Sequence, residues 1–172
     1  MAQKRETWFV KLLKINPFPR AVNKLFSMVA RHIDSFVLKL SGGKLTLVEI
    51  LTQVSTVQVT MIGRKSGLPR TSTLFPIYDP QQPERFAIIA SNFGQKKYPA
   101  WSFNIRANPD VQVNIGGNEQ PYRARELALD SEEYNYFWDL AVKTYFGYAE
   151  YKEAISNRTI PIFVLERTGD YQ

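Results

Sequence analysis

Three groups of residues in this chain could do chemistry. The first is the stretch Gly63-Arg-Lys-Ser-Gly-Leu-Pro-Arg70, which holds three cations, a serine hydroxyl and two glycines within eight residues. Glycine lets a backbone turn sharply, and an arginine fork, a lysine point charge and close backbone N–H groups together suit a phosphate or a carboxylate. The competing reading is an ordinary basic hairpin loop, because Gly, Ser and Pro are common in turns. The stretch is not a Walker A loop, since the Gly-x-x-x-x-Gly-Lys-Ser/Thr order is absent and no helix signal follows. The second group is Ser91 and Asn92, short polar groups at the end of the apolar run that closes with Ala90, where a flat ring system could rest with its edge hydrogen-bonded. A plain strand-end turn competes with that reading. The third is Tyr145, Tyr148 and Tyr151, spaced i, i+3 and i+6. A phenol of ordinary pKa, roughly 10, stays protonated near neutrality and can donate to an acceptor oxygen. In one helix these three would drift across one face, but Gly147 interrupts it, and core packing is the alternative role.

Composition removes other chemistries. There is no cysteine and one histidine in 172 residues, so disulfides, thiolate nucleophiles, metal sites built on Cys or His and a Ser-His-Asp triad are not expected. No metal site is expected. Missing cysteines fit a reducing, cytoplasmic compartment. The net charge of +6 suggests nucleic acid until its distribution is examined. Residues 1–44 carry nine Lys and Arg against two Asp and Glu, whereas 45–172 carry thirteen against fourteen. The basicity belongs to an N-terminal arm, and no nucleic-acid partner is expected.

The elements that must position these groups are legible from periodicity. Val57, Val59 and Met61 alternate with Gln58 and Thr60 as in a half-buried strand, leading into the basic loop, and Thr71 to Tyr78 reads as the returning strand. Asp79-Pro-Gln-Gln-Pro83 is a turn, and Phe86-Ala-Ile-Ile-Ala90 is a central strand covered on both faces. Tyr98 to Arg106 forms a short helix ended by Asn108-Pro109, and Val111, Val113 and Ile115 open a hairpin that turns at Gly116-Gly-Asn118. Asp130 or Ser131 caps a helix with Tyr134, Phe137, Trp138, Ala141 and Val142 on one face; helical signal resumes at Gly147 to Ile155, and Ile160 to Glu166 is the last strand. About six mostly antiparallel strands with short helices, and no βαβ alternation, predict a mixed α+β chain built on an antiparallel barrel. The domains expected are a basic amphipathic helical arm, 1–44, and a cofactor-binding domain, 45–172. In the arm, Trp8, Phe9, Leu12 and Leu13 mix with Lys4, Arg5, Lys11 and Lys14. A second helix carries apolar residues from Val22 to Leu40 and stops at Gly42-Gly43. Residues 1–40 are expected either to make peripheral contact with an anionic membrane, at the inner face of the plasma membrane, or to dock on the domain.

Taken together, Gly63-Arg-Lys-Ser-Gly-Leu-Pro-Arg70, Ala90-Ser-Asn-Phe-Gly94, Pro99-Ala-Trp101, Asn104, Arg106-Ala-Asn-Pro109, Tyr145-x-x-Tyr148-x-x-Tyr151 and Arg158-x-Ile-Pro161 resemble the deazaflavin (F420)-dependent nitroreductases and F420H2-dependent quinone reductases. The resemblance spans roughly residues 51–166. It implies a split β-barrel like that of the flavin-binding pyridoxine-phosphate oxidases. It also implies coenzyme F420, an 8-hydroxy-5-deazaflavin with a phosphate and an oligoglutamate tail, and hydride delivery to a quinone or nitroaromatic acceptor. On this reading the cofactor meets Gly63, Arg64, Lys65, Ser66, Gly67, Pro69, Arg70, Thr73, Phe75, Ala90, Ser91, Asn92 and Trp101. Tyr145, Tyr148, Tyr151 and Ser91 then act at the acceptor. Trp101 either walls the pocket or packs in the core. Two departures bear on the acceptor more than on the cofactor: Phe75-Pro76 replaces a tyrosine-containing segment, and Asn92-Phe93 a lysine or glycine. An FMN-dependent enzyme and a non-catalytic cofactor or lipid binder of the same fold are the alternatives, and oligomeric state is left open.

Overall fold

The computed structural model describes residues 55–145 and 147–169; the arm and the segment up to residue 54 lie outside them. In chain order the elements are β1 (Val57–Ile62), β2 (Pro69–Leu74), β3 (Ile77–Asp79), β4 (Gln82–Ile89), a 3-10 turn (Asn92–Gly94), α1 (Ala100–Ala107), β5 (Asp110–Ile115), β6 (Asn118–Glu126), α2 (Glu132–Thr144), α3 (Gly147–Ala154) and β7 (Ile162–Arg167).

The seven strands form one antiparallel sheet in the order β2-β1-β5-β6-β7-β4-β3. Its closure follows from the connection between its two edges. Seven flat strands at ~4.8 Å spacing would put β2 and β3 about 29 Å apart. Only Phe75 and Pro76 join Leu74 to Ile77, a reach of at most about 11 Å. The sheet therefore curls until its edges approach, giving the split β-barrel. The run Thr71 to Tyr78, read as one strand, is thus two strands at opposite edges. Pro76 cannot donate to a ladder, and the chain breaks there, which raises the strand count from six to seven.

Alternation sorts the core into two layers. Val57, Val59, Met61, Phe86, Ile88, Ala90, Val111, Val113, Phe163 and Leu165 fill the barrel, closed at one place by Ile105 of α1. The opposite faces of β4 and β7 send Ala87, Ile89, Ile162 and Val164 into a second layer under α2 and α3, with Phe137, Trp138, Ala141 and Tyr148. Strand β4 is therefore covered on both sides, as its unbroken apolar run predicts. The helix α2 begins where Ser131 Oγ accepts from the Tyr134 N–H at 3.1 Å, has Glu132 and Glu133 in its first turn, and buries Tyr134, Phe137, Trp138 and Ala141. The β5–β6 hairpin turns on Gly116 and Gly117 at φ of 60° and 92°, with the Gly117 N–H bound to Asn114 Oδ1 at 2.8 Å. Among the described residues no helix is long and apolar enough to cross a membrane.

Candidate functional site

The basic loop is a compact turn anchored to α1. Gly63 N–H donates to the Leu68 carbonyl at 2.9 Å, the Ser66 and Gly67 N–H groups return to the Gly63 carbonyl at 3.2 and 2.8 Å, and Leu68 N–H reaches Ser66 Oγ at 3.4 Å. Two asparagines of the Asn104 and Arg106-Ala-Asn-Pro109 motifs pin it from outside. Asn104 Oδ1 accepts from Arg64 N–H at 3.1 Å, and Asn108 Nδ2 donates to the Ile62 carbonyl at 3.3 Å. Gly63 is buried, and a Cβ there would stand 2.8 Å from Ser66 Oγ, 3.2 Å from the Leu68 carbonyl oxygen and 3.3 Å from Arg70 Cγ. A bare Cα thus admits the arginine stem. Gly67, at φ 67°, supplies the left-handed step.

This geometry changes the chemistry expected of the loop. The amides of Gly63, Arg64, Ser66, Gly67 and Leu68 are already bonded within the protein, so anion binding rests mainly on side chains. Among the described residues no carboxylate pairs with Arg64, Lys65 or Arg70. Arg85, Arg106, Arg123, Arg125 and Arg167 all have acidic partners. Three exposed cations without a carboxylate partner among the described residues fit a ligand tail that brings a phosphate and several carboxylates.

A line of stacked groups leads from this loop to the second cluster. The Arg64 guanidinium lies over the Phe103 ring at 4.9 Å, Phe103 meets Tyr98 edge-on at 5.9 Å, and the Arg158 guanidinium lies over Tyr98 at 4.7 Å. Arg158 then donates to the carbonyls of Ala90 (3.2 Å), Ser91 (2.8 Å), Gln95 (2.9 and 3.2 Å) and Thr159 (2.9 Å). Burial lowers its pKa from the ordinary arginine value, yet the group stays charged. Ala90 and Ser91 are buried at the end of β4, and Ala90 N–H bonds the Pro161 carbonyl at 2.9 Å. Asn92 Nδ2 donates to the Lys97 carbonyl at 2.9 Å. Trp101, on α1, packs edge-on against Phe163 at 5.6 Å and is only partly buried, so it joins the barrel core while keeping an exposed edge.

The tyrosines are close together, but not as a stripe on one helix. Tyr145 is the C-cap of α2, with extended backbone, while Tyr148 and Tyr151 stand one turn apart on α3. The rings nevertheless meet, with centroids 5.7 Å (Tyr145–Tyr148), 6.2 Å (Tyr148–Tyr151) and 6.3 Å (Tyr145–Tyr151) apart. Gly147 is needed for this: a Cβ there would fall 2.3 Å from the Tyr145 ring. Their environments differ. Tyr148 is 5 % exposed and packs on Trp138, and burial raises its phenol pKa. Tyr151 is half-buried and also raised, by burial first and then by Tyr145. Tyr145, 37 % exposed, is the most exposed of the three. The second and third groups touch: a Cβ on Gly94 would lie 3.1 Å from the Tyr151 ring.

Not every expected residue joins these clusters. Pro69 and Thr73 are exposed on β2, opposite Ile62 and Gln58 of β1, and Phe75 is half-buried in the link between the sheet edges. Surface recesses of about 180 and 450 Å³ lie elsewhere and are lined by none of the expected residues. Sequence reasoning did not place Arg158, Tyr98 or Phe103 at the site. Arg158 was legible only as part of its Arg-x-Ile-Pro motif, because a guanidinium bound to main-chain carbonyls has no acidic partner to give it away.

The comparisons bear on the fold and the family. A solved F420-H2 dependent reductase is 39 % identical, covers 65 % of this chain and 94 % of its own, and superposes with a TM-score of 0.58. A chain described as a domain-swapped dimer is 34 % identical, with coverage of 81 % and 98 % and a TM-score of 0.60. The heme storage protein HutZ of Vibrio cholerae, 11 % identical with a TM-score of 0.51 over 80 % and 92 % of the two chains, shares the fold alone. An F420H(2)-dependent quinone reductase of Mycobacterium tuberculosis is 31 % identical over 106 residues, which is 61 % of this chain and 68 % of that one. The FMN-dependent and non-catalytic alternatives fall away: the cofactor is F420 and the protein is an enzyme. Matched by the family model from residue 29 to residue 167, the chain belongs to the F420H(2)-dependent quinone reductase family.

Proposed function

We propose that this reductase transfers a hydride from reduced F420 to a quinone, and to nitroaromatic acceptors of similar shape, with the basic loop holding the cofactor tail and the tyrosine cluster holding the acceptor. Bound F420 supplies the hydride. The quinone takes up that hydride and one proton to become the quinol. Arg64, Lys65 and Arg70 bind the tail's phosphate and carboxylates, Ser66 adds a hydroxyl, and Gly63, Gly67 and Pro69 set the turn. Thr73 and Phe75 extend the same edge. Ala90, Ser91, Asn92 and the free edge of Trp101 border the ring system. Tyr145 donates to the acceptor oxygen, Tyr151 orients Tyr145, and Tyr148 supports both from the core. The exposed cations of the loop, which have no carboxylate partner among the described residues, carry this reading. Rapid mixing of protein-bound reduced F420 with menadione tests it: the protein should accelerate oxidation over free cofactor, and no acceleration would reject catalysis.

The arm, residues 1–44, is proposed as a peripheral membrane anchor that brings the enzyme to lipid-soluble quinones. Its charge excess supports this, at about 1 kcal/mol per cation near an anionic surface, screened by salt. Full-length protein should sediment with anionic vesicles at low salt. A form beginning near Pro19 should do so less, and equal sedimentation of the two would remove the anchor.

A further inference from the structure

The turn after β4 is held in an unfavourable backbone conformation that packing within the described residues does not explain. Asn92, Phe93 and Gly94 lie consecutively in the left-handed region, at φ of 50°, 54° and 73°. Glycine is at ease there and asparagine tolerates it, but a bulky aromatic residue does not. Phe93 is moreover 51 % exposed, so its ring gains little from the protein interior. An exposed phenylalanine alone means little. Here, however, the strained backbone is fixed from three sides. Gly94 and Gln95 N–H return to the Ser91 and Asn92 carbonyls at 3.2 and 3.0 Å, Asn92 Nδ2 ties the turn to Lys97, and Arg158 grips the carbonyls of Ala90, Ser91 and Gln95. Gly94, for want of a Cβ, lets the turn close against Tyr151, one ring away from the exposed Tyr145. Local strain kept in place by so many bonds persists where the side chain it presents has work to do.

We propose that Phe93 is the acceptor-contacting residue opposite Tyr145, giving the site its preference for flat, hydrophobic quinones, and that Arg158 is its positioning residue. This rests on the quinone reductase reading, since it names a specificity determinant of that acceptor site. A flat quinone stacks on the Phe93 ring while Tyr145 reaches its oxygen, and the four Arg158 hydrogen bonds to the carbonyls of Ala90, Ser91 and Gln95 keep the turn from relaxing to right-handed backbone, which would move the ring away.

The test is Phe93→Gly, which removes the ring while relieving the backbone. The variant should melt at or above the parent temperature, bind F420 unchanged, and show a KM for menadione raised roughly five- to tenfold, the size of one aromatic stack. A polar benzoquinone should be affected less. Menadione binding is measured in parallel by quenching of intrinsic fluorescence without cofactor, and its Kd should rise by the same factor. Should the parent protein reduce no quinone at all, the functional reading fails, while the quenching titration still judges Phe93. Arg158→Lys should raise the menadione KM likewise, and Phe93→Gly should then add little in that background, a non-additivity that a merely structural arginine would not produce. Unchanged menadione Kd and KM in Phe93→Gly, or a loss of F420 affinity equal to any loss of menadione affinity, would overturn the proposal.

Discussion

The two loops of the site reach their shapes by opposite means. The Gly63–Gly67 turn places glycine wherever the backbone needs it: Gly63 where a Cβ would meet Ser66 and Leu68, Gly67 at φ 67°. The amides of Gly63, Arg64, Ser66 and Gly67 are satisfied within the loop or by Asn104, and what it offers outward is mainly charge. The Ser91–Gly94 turn puts asparagine and phenylalanine where glycine would be easier, and resists relaxation through an arginine bonded to its carbonyls. One loop is unstrained and electrostatic, suited to a flexible anionic tail. The other is strained and aromatic, suited to one flat partner at a fixed distance.

The largest effect expected from breaking this contrast is on the charged loop. Replacing Arg64 and Lys65 together by alanine should weaken F420 binding by about 2–4 kcal/mol, or roughly 30- to 1,000-fold, after allowance for solvent screening at an exposed site. The melting temperature should move little, because neither side chain has an ion-pair partner among the described residues and the stack of the exposed Arg64 on Phe103 contributes only about 0.5–1 kcal/mol. Titration of cofactor fluorescence measures the first and thermal unfolding the second.

Next comes the backbone of the same loop. Gly63→Ala forces a Cβ against a backbone carbonyl and the Arg70 stem, which should cost about 1–3 kcal/mol of stability. Gly67→Ala has open space around it and should cost about 1–2 kcal/mol through its φ alone. Denaturant midpoints of the two variants separate crowding from backbone strain.

The tyrosines should sort by exposure. Tyr145→Phe should lower kcat with a quinone about two- to tenfold, the loss of one hydrogen bond, and leave F420 affinity alone. Tyr148→Phe, whose hydroxyl is buried, should change kcat less. An equal fall in both variants would mean that the cluster acts by packing rather than by presenting one phenol.

The smallest effect concerns alkaline stability. The phenols of Tyr148 and Tyr151 are held above their ordinary value, burial being the first cause in both. In the unfolded chain they ionise near pH 10, so above it the unfolded state binds fewer protons than the folded state. Their contribution is complete below about pH 10 and is lost as pH rises beyond it. Denaturant midpoints from pH 8 to 11 should fall along that limb, and less steeply in Tyr148→Phe.

Periodicity made the barrel strands, α1 and α2 readable, because Val57, Val59 and Met61, or Tyr134, Phe137, Trp138 and Ala141, repeat at the spacing their elements demand. The division at Phe75-Pro76 was not readable, since Thr71 to Tyr78 keeps its β character on both sides of the break. Only the order of all seven strands shows that its halves lie at opposite edges. The basic loop was legible from Gly, Lys, Arg and Ser in close order, but the consumption of its amides was not, because that depends on how the turn closes on its own oxygens and, for Arg64, on Asn104, forty residues away. Spacing suggested that the three tyrosines share a face, and they do meet, but from two helices, α2 ending at Thr144 and α3 beginning at Gly147, which turns one stripe into three environments. Phe93 gave no signal, because a left-handed phenylalanine looks in sequence like any other.

The central claim is a division of labour, with charge at Arg64 and Lys65 holding the tail and the turn after β4, together with the tyrosine cluster, serving ring and acceptor. It is tested most directly by measuring Kd for F420 and for the same deazaflavin without its phosphate and glutamates, on the parent protein and on the Arg64→Ala, Lys65→Ala double variant. The account predicts that the parent binds the tailed form far more tightly and that the variant loses most of that preference, with the tail-less Kd unchanged. A variant that keeps the parent's preference for the tail, or loses affinity for both forms alike, would contradict it.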